Sequence, residues 1–347
     1  MKNFFFFFFL LAICLNLLFL SCADQKQHSV SPAFYHWKNS LDLSTAEFNY
    51  LSALQIKKLY IRFFDVDWKD SNAVPLSVLE CKSNIPDSIE IVPTVFITNQ
   101  TMLNITEQQI PALGEKILRK VNQLVGSFKN NAIREIQFDC DWSPKSQDKY
   151  FQLLLFLRTQ LATQNQKISA TIRLHQVKYF ERTGVPDVDR GVLMFYNMTD
   201  IDDPDTENSI LNISVAKQYL FNFDAYPLAL DLALPIFKWG IVFQEDKFIK
   251  IINNLDQNDL RDTTHFSKID ENRFEIIKST YLKGYYLYKK DQIRLEKTTI
   301  GNLQKAADLL SPMISNKDLN IIFYHLDSTL IADYPNEVLK DIYNRFY

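Results

Sequence analysis

The stretch REIQFDCDWSP, residues 134–144, sets Asp139 and Asp141 two positions apart at the end of an apolar run. In a β-strand that spacing puts both side chains on one face. Two carboxylates on one face push their pKa values apart, leaving one acid and one base, which is the equipment of general acid–base chemistry. Gln137 shares the face, while Ile136, Phe138 and Cys140 occupy the other and suit packing beneath a helix. A charged face that enters a core must pair, bind metal or meet ligand, because an unpaired buried charge is expensive.

Other polar residues gather at the ends of successive apolar runs. They are Tyr35, His36 and Trp37; Asp65, Asp67 and Trp68; Arg173 and His175; Tyr196 and Asn197; Asp231; and His325 with Asp327. Thr171, Arg173 and His175 share one strand face. Arg62 has the opposite parity to Asp65 and Asp67, so all three face inward only if the strand carries a bulge or bend. Trp37, Trp68, Trp142 and Trp239 all lie near strand ends, and such a rim of indoles suits stacking on sugar rings.

Plainer roles compete with these. Asp139 can salt-bridge Arg173, and His36 and His325 can be satisfied edge histidines. Ser143 reads as a helix cap, since neither a Ser-His-Asp set nor a G-x-S-x-G elbow surrounds it. The acidic run DIDDPDTE (200–207) lacks EF-hand spacing and reads as a solvated loop. A metal site built on His36, His175 and His325 has no H-x-H or H-x-x-x-H pair behind it, so neither metal nor cofactor is expected.

The elements that must position these residues alternate. Strand-like runs fall at 32–37, 58–68, 89–98, 135–142, 168–176, 192–198, 227–237 and 319–327, with helix signals between them. STAE (44–47) has capping-box spacing, and residues 112–128 are amphipathic at helical period. Residues 143–161 open with Ser143 and Pro144 as helix start, and helices are also read at 208–221 and 336–347. Eight such units predict an α/β fold, a (β/α)₈ TIM barrel whose site lies at the strand C-terminal ends. More than eighty residues separate the seventh and eighth strands. There 243–255 reads as helical, and 274–299 alternates at period two around KKDQ (289–292), which predicts a hairpin. The expectation is one barrel domain over 31–347 with a β-hairpin-containing insertion at about 238–300.

The bulk properties narrow the function. With 347 residues, 47% of them hydrophobic, the chain can bury a large core. A net charge of −3 provides no basic field, so nucleic acid is not an expected partner. The N-terminus, MKNFFFFFFLLAICLNLLFLSC, has one lysine, a long apolar run and a small Ser21 before Cys22. It predicts a lipoprotein signal peptide over 1–21, with FLSC resembling a bacterial lipobox in which Phe19 replaces the usual leucine. Cys22 would carry the lipid and residues 22–30 form a tether. The folded part would then be exported and anchored to a bacterial membrane, on the periplasmic or outer-surface side. The alternative is an uncleaved membrane-spanning anchor. Cys81 and Cys140 remain, and they pair only if the fold brings them together.

FDCDW, followed two strands later by LMFYNM, resembles the family-18 glycoside hydrolases, the chitinase-like TIM barrels. In that family an Asp-x-Asp-x-Glu motif ends strand four and a Met-x-Tyr-Asp/Asn motif lies on strand six. The resemblance implies that Asp139 and Asp141 take the two aspartate positions, Tyr196 and Asn197 the strand-six pair, and that the partner is carbohydrate. The position of the family's catalytic Glu is Ser143 here, and a serine cannot protonate a glycosidic oxygen. The chain as a whole also resembles bacterial exported lipoproteins.

Two readings follow. In a glycoside hydrolase, Asp141 is the acid, raised by Asp139, with Asp231 or Asp67 as base or nucleophile. Arg173, His175 and Tyr196 then position substrate, and Asp65, Trp68, His36, Trp142, Asn197, Trp239, His325 and Asp327 surround it. In a non-catalytic, lectin-like barrel the same polar and aromatic groups bind sugar without a competent pair. The first requires two carboxylates roughly 5–10 Å apart across a cleft. The second predicts aromatics at the mouth and each carboxylate neutralised by arginine or lysine.

Overall fold

A computed structural model describes residues 29–128 and 132–347. The signal segment, Cys22 and most of the tether lie outside the described residues.

Eight parallel strands close on themselves. They are β1 (Ser29–His36), β2 (Lys58–Lys69), β3 (Glu90–Ile97), β4 (Glu135–Asp139), β5 (Lys167–Arg173), β6 (Arg190–Met194), β7 (Leu230–Pro235) and β8 (Asp318–Tyr324). Each pairs with its sequence neighbour, and β8 pairs with β1 to shut the ring. The chain is a TIM barrel. β1 already begins at Ser29, two residues inside the expected tether.

Hydrogen bonds across the ring show which faces point inward. β1 and β4 are not neighbours, yet the Tyr35 hydroxyl donates to Gln137 Oε1 at 2.7 Å. Lys58 of β2 likewise reaches Glu135 of β4 at 3.0 Å. Glu135, Gln137 and Asp139 therefore line the barrel interior, as period two requires. The register of β2 against β3 shifts between Arg62 and Phe64, the bulge that the opposite parities of Arg62 and Asp65 demand. Phe63 is thereby turned outward to stack on Phe128 at 5.6 Å.

The outer layer follows its sequence signals with local exceptions. Helix α1 (Thr45–Ala53) opens on a full capping box, in which Ser44 N–H donates to Glu47 Oε2 at 2.7 Å and Glu47 N–H to Ser44 Oγ at 3.2 Å. Helix α2 (Ile110–Val125) starts with Pro111 in its first turn. Helix α3 begins at Gln147 and ends at Ala162, later than expected, because Ser143 to Ser146 form a turn closed by Ser146 N–H on Ser143 O at 3.0 Å. Its Leu153, Leu154, Leu157 and Leu161 are buried against the barrel, each worth about 1.5–3 kcal/mol. Of the expected helix at 208–221 only Ile213–Lys217 is α-helical. Among the described residues no helix is long and apolar enough to cross a membrane.

Between β7 and β8 stands a five-stranded antiparallel sheet built from Lys238–Gln244, Lys247–Asn253, Phe266–Lys268, Arg273–Ile276 and Gln292–Lys297. Val242, Ile252, Phe274, Ile276 and Ile293 form part of its own small core. The run read as helical at 243–255 is instead a hairpin arm. Glu245 and Asp246 both take left-handed backbone (φ 49° and 60°), which makes the two-residue turn that suits strand twist. A second hairpin, Thr280–Leu282 with Tyr285–Leu287, turns at Lys283 and Gly284 (φ 48° and 85°), so KKDQ is not a hairpin centre.

Candidate functional site

Asp139 ends β4 inside the barrel mouth and is buried, accepting a hydrogen bond from Thr171 Oγ1 of β5 at 2.6 Å. Burial lifts its carboxyl, Arg173 and the Thr171 bond oppose the rise, and neighbouring Asp141 adds to it. The outcome is a pKa pushed up to about 6. Asp141 stands two residues on, half exposed, and both of its oxygens are taken by Arg173. Nη2 donates to Oδ2 at 3.0 Å and Nε donates to Oδ1. Burial works against the guanidinium charge, and Asp141 more than restores it. Such a fork-to-carboxylate pair fixes the relative orientation of both groups.

On the β2 side the same motif recurs. Arg62 Nε donates to Asp65 Oδ1 at 2.7 Å, and Nη2 takes Oδ2. The Arg62 guanidinium also lies 5.6 Å from the Trp37 ring centre. Asp67 accepts from Thr98 Oγ1 at 2.9 Å.

Aromatic rings fill the rest of the mouth. Tyr324, the last residue of β8, lies 5.6 Å from Trp37, 5.2 Å from Tyr196 and 5.7 Å from Phe237 between ring centres. Phe237 in turn meets Trp239 at 5.0 Å. Tyr196 and Phe237 are buried, whereas Trp37, Trp239 and Tyr324 keep part of their faces in solvent. Sequence reading missed Tyr324 and Phe237, and placed Thr171 on the inward face of its strand without giving it a role. Tyr324 was hidden beside the more conspicuous His325, although alternation with buried Phe323 would have pointed it inward.

Trp239 is aimed by the insertion. Its Nε1–H donates to Glu296 Oε2 at 2.9 Å, and the same oxygen accepts from Ser209 N–H at 2.9 Å and Ser209 Oγ at 2.6 Å. Glu296 pairs with buried Arg294 at 2.8 Å. Arg294 also donates to the carbonyls of Ile201, Asp203 and Pro204 at 3.2, 2.6 and 3.1 Å. The acidic loop 200–207 is thus held by its backbone, and its exposed Asp200 and Asp203 carboxylates accept the N–H groups of Asp202 and Asp205 at 2.9 Å each.

At position 143 the neighbours are neutral. Ser143 N–H donates to Ser146 Oγ at 2.9 Å, and Ser146 Oγ donates to Asn99 Oδ1 at 2.5 Å. Ser143 Oγ lies 3.5 Å from the same Asn99 oxygen. This cluster contains no group able to give a proton to a glycosidic oxygen.

Several expected site residues lie elsewhere. Asp231 is the second residue of β7 and sits at the opposite end of the barrel, bonded to Arg190 at 2.7 Å and to Asn320 N–H and Nδ2 at 2.8 and 2.6 Å. Trp142 is buried beside α3, stacked on Tyr150 at 5.4 Å with its Nε1–H on Thr183 O at 2.9 Å. His36 follows the outward parity of Phe34, which packs on Tyr50 of α1, and burial with nearby Lys38 pushes its pKa down to about 3. His325, just past the inward-facing Tyr324, is pushed down to about 4, chiefly by burial. Asp327 pairs with Lys38 at 2.8 Å and caps the Ser328–Ile331 turn, so it too serves this outer cluster. His175 is not on a strand, because β5 stops at Arg173 and a short helix (Leu174–Lys178) carries it to the exposed rim. Asn197 is exposed beside the mouth with left-handed backbone (φ 55°), and Trp68 sits half-buried on the hairpin that β2 makes with Asn72–Leu76. Cys81 and Cys140 are both free. A lateral groove of about 290 Å³ between Asn72–Leu76 and α2, lined by Phe64, Pro75, Leu113 and Ile117, contains none of the expected residues.

The closed parallel eight-strand barrel is a TIM barrel, and solved structures of chitinases and chitinase-like proteins share that fold. The spore cortex-lytic enzyme SleL of Bacillus cereus superposes with a TM-score of 0.55 at 13% identity, covering 92% of this chain and 75% of that one. The GH18 chitinase ChiB from the chitin utilization locus of Flavobacterium johnsoniae gives 0.54 at 12% identity over 91% and 93% of the two chains. The chitinase-like agglutinin RobpsCRA of Robinia pseudoacacia gives 0.55 at 11% identity over 91% and 99%. No protein-family model matches the sequence, and no curated protein matches it.

Proposed function

We propose that the chain is a carbohydrate-binding protein of glycoside-hydrolase-like architecture, whose barrel mouth holds a sugar chain without cleaving it. The observation that carries this reading is the state of the strand-four acids. Glycosidic cleavage needs a proton donor and a free carboxylate flanking one bond. Here Asp141 is locked by Arg173, Asp65 by Arg62, and Ser143 stands where an acid would act. Asp139 has an elevated pKa, yet it is buried and bonded to Thr171 rather than open toward a substrate. The partly exposed faces of Trp37, Tyr324 and Trp239 suit stacking against pyranose rings, and Arg62 and Arg173 suit ring hydroxyls. The fold is one that an agglutinin and chitinases both use, which is consistent with binding in either form.

The deciding experiment sets turnover and affinity of the chain on a panel of oligosaccharides beside those of Asp139→Asn and Asp141→Asn. Binding without turnover is expected of the wild type. Turnover that Asp141→Asn abolishes while binding persists would establish the hydrolase reading instead.

The same proposal includes export and lipid attachment at Cys22, motivated by the FLSC sequence after an apolar segment. Mass spectrometry of the membrane fraction should find a diacylglyceryl-modified Cys22. An unmodified N-terminus in that fraction would argue for a plain transmembrane anchor.

A further inference from the structure

The hairpin of the insertion presents an unusual face. Its strands pair Tyr281 with Tyr286, and the alternation buries Leu282 and Leu287 while turning Tyr281, Tyr286 and Tyr288 outward. These three rings are 73%, 40% and 56% exposed. They form a continuous edge-to-face row, 4.9 Å between Tyr281 and Tyr286 and 5.0 Å between Tyr286 and Tyr288. At the hairpin edge Tyr285 lies under the Lys250 ammonium at 5.5 Å. A cross-strand aromatic pair helps to hold a small hairpin, but that role does not require a third ring or so much exposure.

Charge singles out the partner. Lys278, Lys283, Lys289 and Lys290 fall within thirteen residues, and no acid occurs until Asp291, which is buried and bonded to Tyr288 N–H at 2.8 Å. Lys283 is spent on Asp259 at 3.0 Å, whereas Lys278, Lys289 and Lys290 make no ion pair among the described residues. A chain with a net charge of −3 thus carries a local cationic edge beside a row of tyrosines. A second copy of the chain fits poorly, because a two-fold contact through this face would set the lysines against themselves. A bilayer fits poorly too, since the aliphatic side chains of the hairpin point inward and only hydroxylated rings point out.

We infer that the Tyr281–Tyr286–Tyr288 face is a second binding platform, separate from the barrel mouth, for an acidic polysaccharide. The rings stack on the apolar faces of sugar units, and Lys289 and Lys290 meet the carboxylates along the polymer.

The test titrates the full chain with polygalacturonate and with a neutral β-glucan. The wild type should prefer the acidic polymer, and binding should weaken steeply between roughly 0.05 and 0.5 M salt, where exposed charges become screened. Tyr286→Ala with Tyr288→Ala should cost about tenfold or more in affinity, while the matching phenylalanine variants keep most of it. Lys289→Glu with Lys290→Glu leaves rings and hairpin intact and should produce a similar loss. The hairpin variants should leave oligosaccharide binding at the barrel mouth unchanged, so failure here is separable from failure of the mouth reading. Equal affinity for neutral and acidic polymer, unchanged affinity in the hairpin variants, or binding of anionic vesicles in place of polysaccharide would overturn the inference.

Discussion

Arg173 occupies both oxygens of Asp141, and through that pairing the end of β5 fixes the acid that follows β4. Arg173 also stands near enough to Asp139 to hold down the proton affinity of that buried carboxyl. Replacing Arg173 by glutamine removes both effects. Asp141 is half exposed, so the lost pair should cost less than about 1 kcal/mol of stability. The carboxyl of Asp139 should titrate at higher pH than in the wild type, a shift readable from carboxyl NMR signals. An unmoved titration would show that the arginine acts on Asp141 alone.

Asp139 gives a prediction about stability with its sign fixed. Its folded-state pKa, about 6, exceeds the ordinary carboxylate value, so the folded chain binds a proton that the unfolded chain has already released. The contribution of Asp139 to stability therefore falls as pH rises from about 4 to about 6, then stays low. Asp139→Asn keeps an acceptor for Thr171 and removes this penalty. The variant should be more stable than wild type by about 1–3 kcal/mol at pH 7, with the difference vanishing near pH 4. Asp231 is raised in the same window, so the comparison must be variant against wild type. Urea unfolding at pH 4 and pH 7 measures it. An Asp139→Asn chain less stable at pH 7 would refute the burial argument.

Glu296 ties Trp239, Ser209 and Arg294 together. Removing one partner of a buried pair typically costs about 3–5 kcal/mol, because the other charge is left uncompensated. Glu296→Gln should show that loss, together with faster proteolysis of the 200–207 loop that Arg294 holds and a red shift of Trp239 emission. Replacing Arg294 and Glu296 together by methionine and leucine should recover part of the stability, though not the orientation of Trp239.

Two tryptophans should behave in opposite ways. Trp142→Phe disturbs a buried stack and the bond to Thr183 O, so it should destabilise by about 1–3 kcal/mol with oligosaccharide affinity unchanged. Trp37→Ala removes a half-exposed ring from the mouth and should weaken affinity by about tenfold for a smaller stability loss. If both variants lose affinity equally, Trp142 belongs to the site after all.

The strand count and the inward face of Gln137 and Asp139 were legible in the sequence. The parities of Arg62 and Asp65 left a bulge or a bend as the condition for both to face inward, which the register shift at Arg62 meets as a bulge. Period-two alternation and the cost of burying charge leave few other solutions. The same rules could not tell which end of a strand a residue occupies when its boundaries are uncertain. Asp231 was displaced to the wrong pole for that reason, and His175 onto a strand that ends at Arg173. Helical and strand periods also coincide over short runs, so FIKII was misread until the Glu245–Asp246 turn fixed it as a strand. Only the closed barrel decided which charges meet. Arg173 finds Asp141, and Arg62 finds Asp65, because adjacent strands or a bulge bring the guanidinium within reach. A sequence specifies the faces of its elements through local periodicity. The pairing of charges across those faces depends on register and closure, which are properties of the whole ring.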